Sequence, residues 1–132
     1  MKLLIVDDSK FSQIITSNLI KELIEDMEIF FANDGEIGFN KYKEINPDYI
    51  IVDLLMPHLN GKELIKLIKE YDSESKIFVV SADVQKNVKE EIESYGIMGF
   101  INKPFNEEKA KFIYDIIKGD SNEKWWFKIW HT

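Results

Sequence analysis

The sequence predicts an α/β fold, a doubly wound parallel sheet with helices on both faces. Three observations carry that expectation. Short apolar runs recur at Leu3–Val6, Ile29–Phe31, Tyr49–Val52 and Ile77–Val80, with a weaker fifth at Gly99–Ile101. None alternates with polar residues, and continuous β-branched and aromatic runs of this length fit strands covered on both faces. Segments of helical period separate the runs, as parallel strands require, because each return needs a crossover.

The first run is cut short by Asp7 and Asp8. A helix follows on Phe11, Ile15, Leu19 and Leu23, spaced by four, with Ser9 placed to cap it. After the second run, Ile37, Tyr42 and Ile45 mark a helix that ends before Asn46-Pro47, since a residue preceding proline avoids the helical region. Beyond the third run, Asn60 with Glu63 three residues on reads as a capping box opening a helix on Leu64, Ile65 and Ile68. Val84, Val88, Ile92 and Tyr95 form the stripe of a fourth helix, closed by Gly96. The fifth is expected from about Asn106 to Lys118, with its stop at Gly119. One domain thus spans 1–118, and 119–132 reads as a polar linker followed by an aromatic tail.

The chain carries a formal net charge of −7, and all 17 of its basic residues are lysine. Without arginine it lacks the planar fork that reads guanine edges or clamps phosphates, which disfavours nucleic-acid binding. The absence of cysteine excludes disulfides, thiol nucleophiles and thiolate zinc sites. Two histidines, His58 and His131, are too few for the usual imidazole-based sites, and His58 reads as a surface loop residue. The first apolar run is too short for a signal peptide or a membrane span, so the expected setting is the cytoplasm, away from membranes.

In open α/β sheets the ligand site lies beyond the carboxyl ends of the strands. Here strand one ends in Asp7-Asp8, strand three in Asp53, strand four in Ser81 and strand five in Asn102-Lys103-Pro104. Each has a plainer reading alone: a turn-and-cap pair, a helix cap, a solvated lysine. Together they set three carboxylates, a hydroxyl and an ammonium at one edge. One lysine cannot neutralise three carboxylates, whereas a hard divalent cation can, and oxygen-only ligands suit Mg2+. A carboxylate beside that metal can attack phosphorus while the lysine and the hydroxyl take up charge on the transferring group.

The segments LLIVDDS at 3–9, NDGEIG at 33–38, NPDYIIVDLLMPHLNG at 46–61, VVSAD at 79–83 and GFINKPF at 99–105 resemble, in order and spacing, the receiver domain of two-component response regulators. The resemblance covers residues 1–118 and implies a five-stranded, flavodoxin-like sheet of order 2-1-3-4-5. It implies that Asp53 is the phosphoacceptor and that Asp8, Asp53 and the backbone carbonyl of Leu55 bind Mg2+, with Asp7 acting through water. Ser81 would hydrogen-bond the phosphoryl group and Lys103 would pair with it across a typically cis Lys103-Pro104 peptide. Phe100 falls at the aromatic switch position, where tyrosine is frequent, and lacks the hydroxyl. The resemblance also implies that Leu55 and Asp83 flank the path of a hydrolytic water. The implied partners are a histidine kinase or phosphotransfer protein and a downstream target on the face of helix four, strand five and helix five.

Wheel positions put Ala110, Ile113, Tyr114 and Ile117 on the core side of helix five and Phe112 and Ile116 opposite. Trp125, Trp126, Phe127, Ile129 and Trp130 crowd five large apolar side chains into six residues. The tail is therefore expected to dock onto Phe112 and Ile116, in the same chain or in a second copy as a homodimer. The 14 residues after 118 leave no room in this sequence for an appended effector. The leading expectation is a phosphoacceptor signalling module rather than a turnover enzyme. The competing readings are a phosphorylation-independent receiver-like scaffold, an Mg2+-dependent aspartyl phosphatase and a DNA-binding regulator cut in its linker. An intact set of Asp7, Asp8, Asp53, Ser81 and Lys103 weighs against the scaffold. Such phosphatases usually place nucleophile and acid two apart after strand one, which weighs against the second.

Overall fold

A computed structural model describes residues 1–82 and 85–120, and of 121–131 the helical course alone. Five strands, β1 (Lys2–Val6), β2 (Glu28–Ala32), β3 (Tyr49–Val52), β4 (Ile77–Ser81) and β5 (Gly99–Asn102), form one sheet. All pairs are parallel and the order is β2-β1-β3-β4-β5, as expected. The crossovers are α1 (Lys10–Leu23), α2 (Gly35–Ile45), α3 (Gly61–Tyr71) and α4 (Lys86–Glu93), and α5 (Glu107–His131) closes the chain.

Alternate residues of each strand feed two separate cores, which is why the runs do not alternate in polarity. Leu4, Val6, Ile50, Val52 and Val79 meet Tyr42 of α2, Leu64, Ile65 and Ile68 of α3 and Ile92 of α4. Leu3, Ile5, Ile51, Phe78 and Val80 meet Ile20 of α1 and Ala110, Ile113 and Ile117 of α5. Each such large side chain, fully buried, contributes roughly 1.5–3 kcal/mol. The caps fall where the sequence puts them: Ser9 accepts from the Ser12 N–H at 3.2 Å, and Asn60 from the Glu63 N–H at 3.0 Å. Asn46, in the left-handed region, ends α2 immediately before Pro47.

Two expectations need correction, on α1 and at the end of α5, while the stripe of α4 holds where it is described. On α1 the buried residues are Gln13, Thr16 and Ile20, while Phe11 is 73% exposed and Leu23 lies outside. A strict spacing of four advances 40° per step around a helix, so the ends of such a stripe rotate off the core. On α4 Ile92 is buried and Val88 half-buried; Val84, expected to begin the stripe, lies outside the described residues. Gly119 does not end α5, which runs to His131. An interior glycine costs only about 1 kcal/mol relative to alanine. The next residue is anchored: Asp120 accepts hydrogen bonds from the Tyr49 hydroxyl, at 2.6 Å, and from the Lys76 ammonium.

Phe112 is exposed and Ile116 half-buried, but neither points straight away from the sheet. Both lie over Gly99 of β5, where an added Cβ would meet Phe112 Cε1 at 3.2 Å and Ile116 Cδ1 at 3.7 Å. The side chains of Trp125, Trp126, Phe127, Ile129 and Trp130 lie outside the described residues.

Candidate functional site

The strand ladder places the acids. Val6 pairs with Ala32 on one side and Val52 on the other. One step beyond, the Asp7 N–H donates to the Ala32 carbonyl at 3.1 Å and the Asp53 N–H to the Val6 carbonyl at 3.0 Å. Ser81 pairs with Asn102, and the Lys103 N–H donates to the Ser81 carbonyl at 3.0 Å. Each residue thus sits where a strand has just run out of apolar sequence and the ladder supplies one more bond.

These ends converge. Carboxylate oxygens of Asp7, Asp8 and Asp53 lie within 4.8 Å of one another; Asp7 and Asp53 are buried and Asp8 is exposed. The Lys103 ammonium bridges the first and third, at 2.9 Å from Asp7 Oδ2 and 3.2 Å from Asp53 Oδ2. The second Asp7 oxygen accepts the Ser9 N–H at 2.9 Å, and the second Asp53 oxygen the Leu55 N–H at 3.2 Å. Ser81 is wholly buried at the end of β4. The Lys103-Pro104 peptide is cis, and Lys109 donates to the Asn102 and Pro104 carbonyls on either side of it.

The electrostatics follow from this crowding. Burial raises the Asp53 carboxyl above its ordinary value, with Lys103 pulling against the shift. Burial works to lower the Lys103 ammonium, yet its hydrogen bond to Asp7 and the Asp53 charge outweigh it and raise the net value. The donor set is oxygen only and carries more negative charge than one lysine balances, which fits Mg2+. Asp8, exposed, is the carboxylate most open to an incoming ion.

The loop after Asp53 is held by backbone contact. The Gly61 N–H donates to the Leu54 carbonyl at 3.1 Å, and a Cβ on Gly61 would fall 2.3 Å from the Asp53 carbonyl oxygen. No other residue fits there. Leu55 is exposed beside a cleft that it shares with Asp8, Met56, Asn60, Lys62 and Val88. Lys62 of α3 reaches across to Glu91 of α4 at 2.8 Å, and the Tyr95 hydroxyl donates to the same carboxylate at 3.0 Å. His58 sits in this loop in the left-handed region and lines a separate groove with Phe39 and Leu67, away from the acids.

Phe100 is half-buried against the α2–α3–α4 core, with the Lys89 ammonium 5.8 Å from its ring centroid. Asp83, expected beside the hydrolytic path, lies outside the described residues. Phe112 and Ile116 lie away from the acids, over β5. One residue with a bearing on the site escaped the sequence reading: Gln13, buried on α1, donates to the Asp7 carbonyl at 2.7 Å.

Comparison with known proteins agrees with this geometry. The family model described as the response regulator receiver domain matches residues 3–113. The chain belongs to that family. Among its receiver relatives, the chemotaxis protein CheY of Listeria monocytogenes is 33% identical over 111 residues, 83% of this chain and 92% of that one. CheY of Thermotoga maritima is 34% identical over 109 residues, 83% and 90%. Protein CcdB of Bacillus subtilis is 32% identical over 112 residues, 83% and 90%. Among solved structures, the receiver is similar to the Borrelia burgdorferi CheX–CheY–BeF3–Mg2+ complex, with a TM-score of 0.79 and 26% identity over 90% of this chain and 87% of that one. It is a CheY-like receiver domain of two-component signalling, with an acidic pocket of Asp7, Asp8 and Asp53. Among the described residues, no helix is long and apolar enough to cross a membrane.

Proposed function

We propose that this receiver is a phosphoacceptor: Asp53 takes a phosphoryl group from a histidine kinase or phosphotransfer protein with Mg2+, and the phosphorylated domain signals by altered protein binding. The supporting observation is the carboxylate excess, three oxygens within 4.8 Å against one bridging ammonium. An Asp53 oxygen attacks phosphorus as the P–N bond to the donor imidazole breaks, and the electron pair leaves on that nitrogen. Mg2+, when bound, supplies the positive charge that lets a phosphoryl group approach these carboxylates. Asp8, Asp53 and the Leu55 carbonyl would hold it, with Asp7 acting through water. Lys103 exchanges the Asp53 oxygen for a phosphoryl oxygen, and the Ser81 hydroxyl takes another.

Moving Lys103 and Ser81 biases the packing of Phe100 and of the α4–β5–α5 face, where the target binds; the shift extends only as far as its differential stability in the two states. Leucine at 55 cannot orient water, which leaves Asp83 to do so and gives the acyl phosphate an intermediate lifetime. With α5 continuous to His131, position 125 lies about 13 Å along the axis beyond Ile116. Docking of the tail is accordingly assigned to a second copy or a partner rather than to its own chain. The setting is cytoplasmic, as for two-component signalling generally.

The test is intact mass after incubation with acetyl phosphate and Mg2+. One added phosphoryl group is expected, lost in Asp53→Asn and on chelation. Equal labelling of Asp53→Asn, or labelling indifferent to chelator, overturns the proposal.

A further inference from the structure

Gln13 is 8% exposed, on the face of α1 turned to the sheet, among residues otherwise chosen for packing. A buried amide without a partner costs free energy, so its bonds report what it is for. Its nitrogen donates to the Asp7 carbonyl at 2.7 Å and lies 3.4 Å from the Ala32 carbonyl. Both neighbours are acceptors only, which fixes the orientation of the amide: nitrogen inward. The Ala32 carbonyl also receives the Asp7 N–H. Gln13 therefore joins the carboxyl ends of β1 and β2 at the point where the sheet stops and the acids begin.

The Asp7 carbonyl belongs to the peptide plane between Asp7 and Asp8. A peptide is planar, so fixing its oxygen fixes the direction in which the Asp8 Cα leaves the strand. The Asp7 side chain has its own restraints in Ser9 and Lys103. For Asp8, exposed at the rim, the restraint acts through the backbone. We infer that Gln13 is a positioning residue for the metal site, holding the Asp7–Asp8 peptide so that the Asp8 carboxylate faces Asp53. The inference rests on the Mg2+ reading of the preceding subsection.

The test is calorimetric titration of the unphosphorylated, full-length chain with Mg2+, alongside thermal unfolding and phosphorylation by acetyl phosphate. Gln13→Leu keeps the bulk and removes the donor; Gln13→His, titrated at about pH 8 where a free imidazole is neutral, keeps an uncharged donor. Removal of a group that orients a metal ligand typically costs 10- to 100-fold in affinity, so Gln13→Leu is expected to bind Mg2+ about 10-fold more weakly. Its phosphorylation should recover at saturating Mg2+, and Gln13→His should regain most of the affinity. Unchanged affinity in folded Gln13→Leu overturns the inference. Should that variant fail to fold, Gln13→His decides: Mg2+ affinity near that of the parent supports the role, and a 10-fold loss in a protein of parental melting temperature overturns it. A parent that binds no Mg2+ overturns the metal reading itself, whatever the variants do.

Discussion

The two ends of the strands treat charge differently. At the amino end, Lys76 meets Asp120 beneath the Tyr49 hydroxyl, and Asp48 accepts the Lys2 N–H at 2.7 Å. Charge there is matched by charge or by a donor, and its effect is to tie α5 and the β3 entrance to the sheet. At the carboxyl end, Asp7 and Asp53 share one ammonium beside Asp8, and burial lifts the Asp53 carboxyl. Folding tolerates that excess at a cost in stability. The contrast separates polar groups that hold the domain together from polar groups held in place by it.

The largest effect expected from this contrast is on metal binding. Asp8→Asn should weaken Mg2+ binding about 100-fold, at the upper end of what metal-site substitutions cost. Titration calorimetry reads it directly, and parental affinity would mean that the carboxylate excess is not there for a cation. Lys103→Met removes the one ammonium and leaves Asp7 and Asp53 facing each other. The expected loss is about 2 kcal/mol in urea unfolding, less than for a fully buried pair because water reaches Lys103. Added Mg2+ should restore part of it; destabilisation indifferent to Mg2+ would sever the lysine from the metal site.

Asp53→Asn should raise the melting temperature at neutral pH. The folded carboxyl titrates above its unfolded value, so ionised Asp53 is disfavoured by folding. Its contribution is intact below the unfolded value, about pH 3.9, and is lost as pH rises through the folded one. The advantage of asparagine should therefore shrink as pH falls through the folded value toward the unfolded one; a gap that widens toward acid would reverse the sign. Smallest is Tyr49→Phe at the opposite end, which deletes the bond to Asp120 for about 1 kcal/mol and should leave Mg2+ affinity unchanged.

The sheet was legible because strands buried on both faces have no polar alternative, as in Ile50-Ile51-Val52 and Phe78-Val79-Val80. The acids, Ser81 and Lys103 were legible because parallel strands all end at one edge, so sequence position translates directly into place. What resisted reading is where polarity and burial part company. Gln13 and Thr16 occupy core-facing positions of α1 that a hydrophobic pattern skips, while Phe11 supplies a false one. The course of α5 through Gly119 depends on Tyr49 and Lys76, which lie 71 and 44 residues from Asp120 and leave no local signal.

The ion pair between Asp7 and Lys103 spans 96 residues of sequence. At translation rates of roughly 5–20 residues per second, the lysine is made some 5–20 seconds after Asp7 and about half that time after Asp53. Once Asp53 is made, β1, β3 and their carboxylates are complete while, among the described residues, the bridging ammonium of the site has not been polymerised. A chain stopped between Asp53 and β5 carries all three acids but not Lys103. The charge balance of the pocket is thereby tied to synthesis through residue 103, and a receiver truncated before it holds three acids without the bridging ammonium.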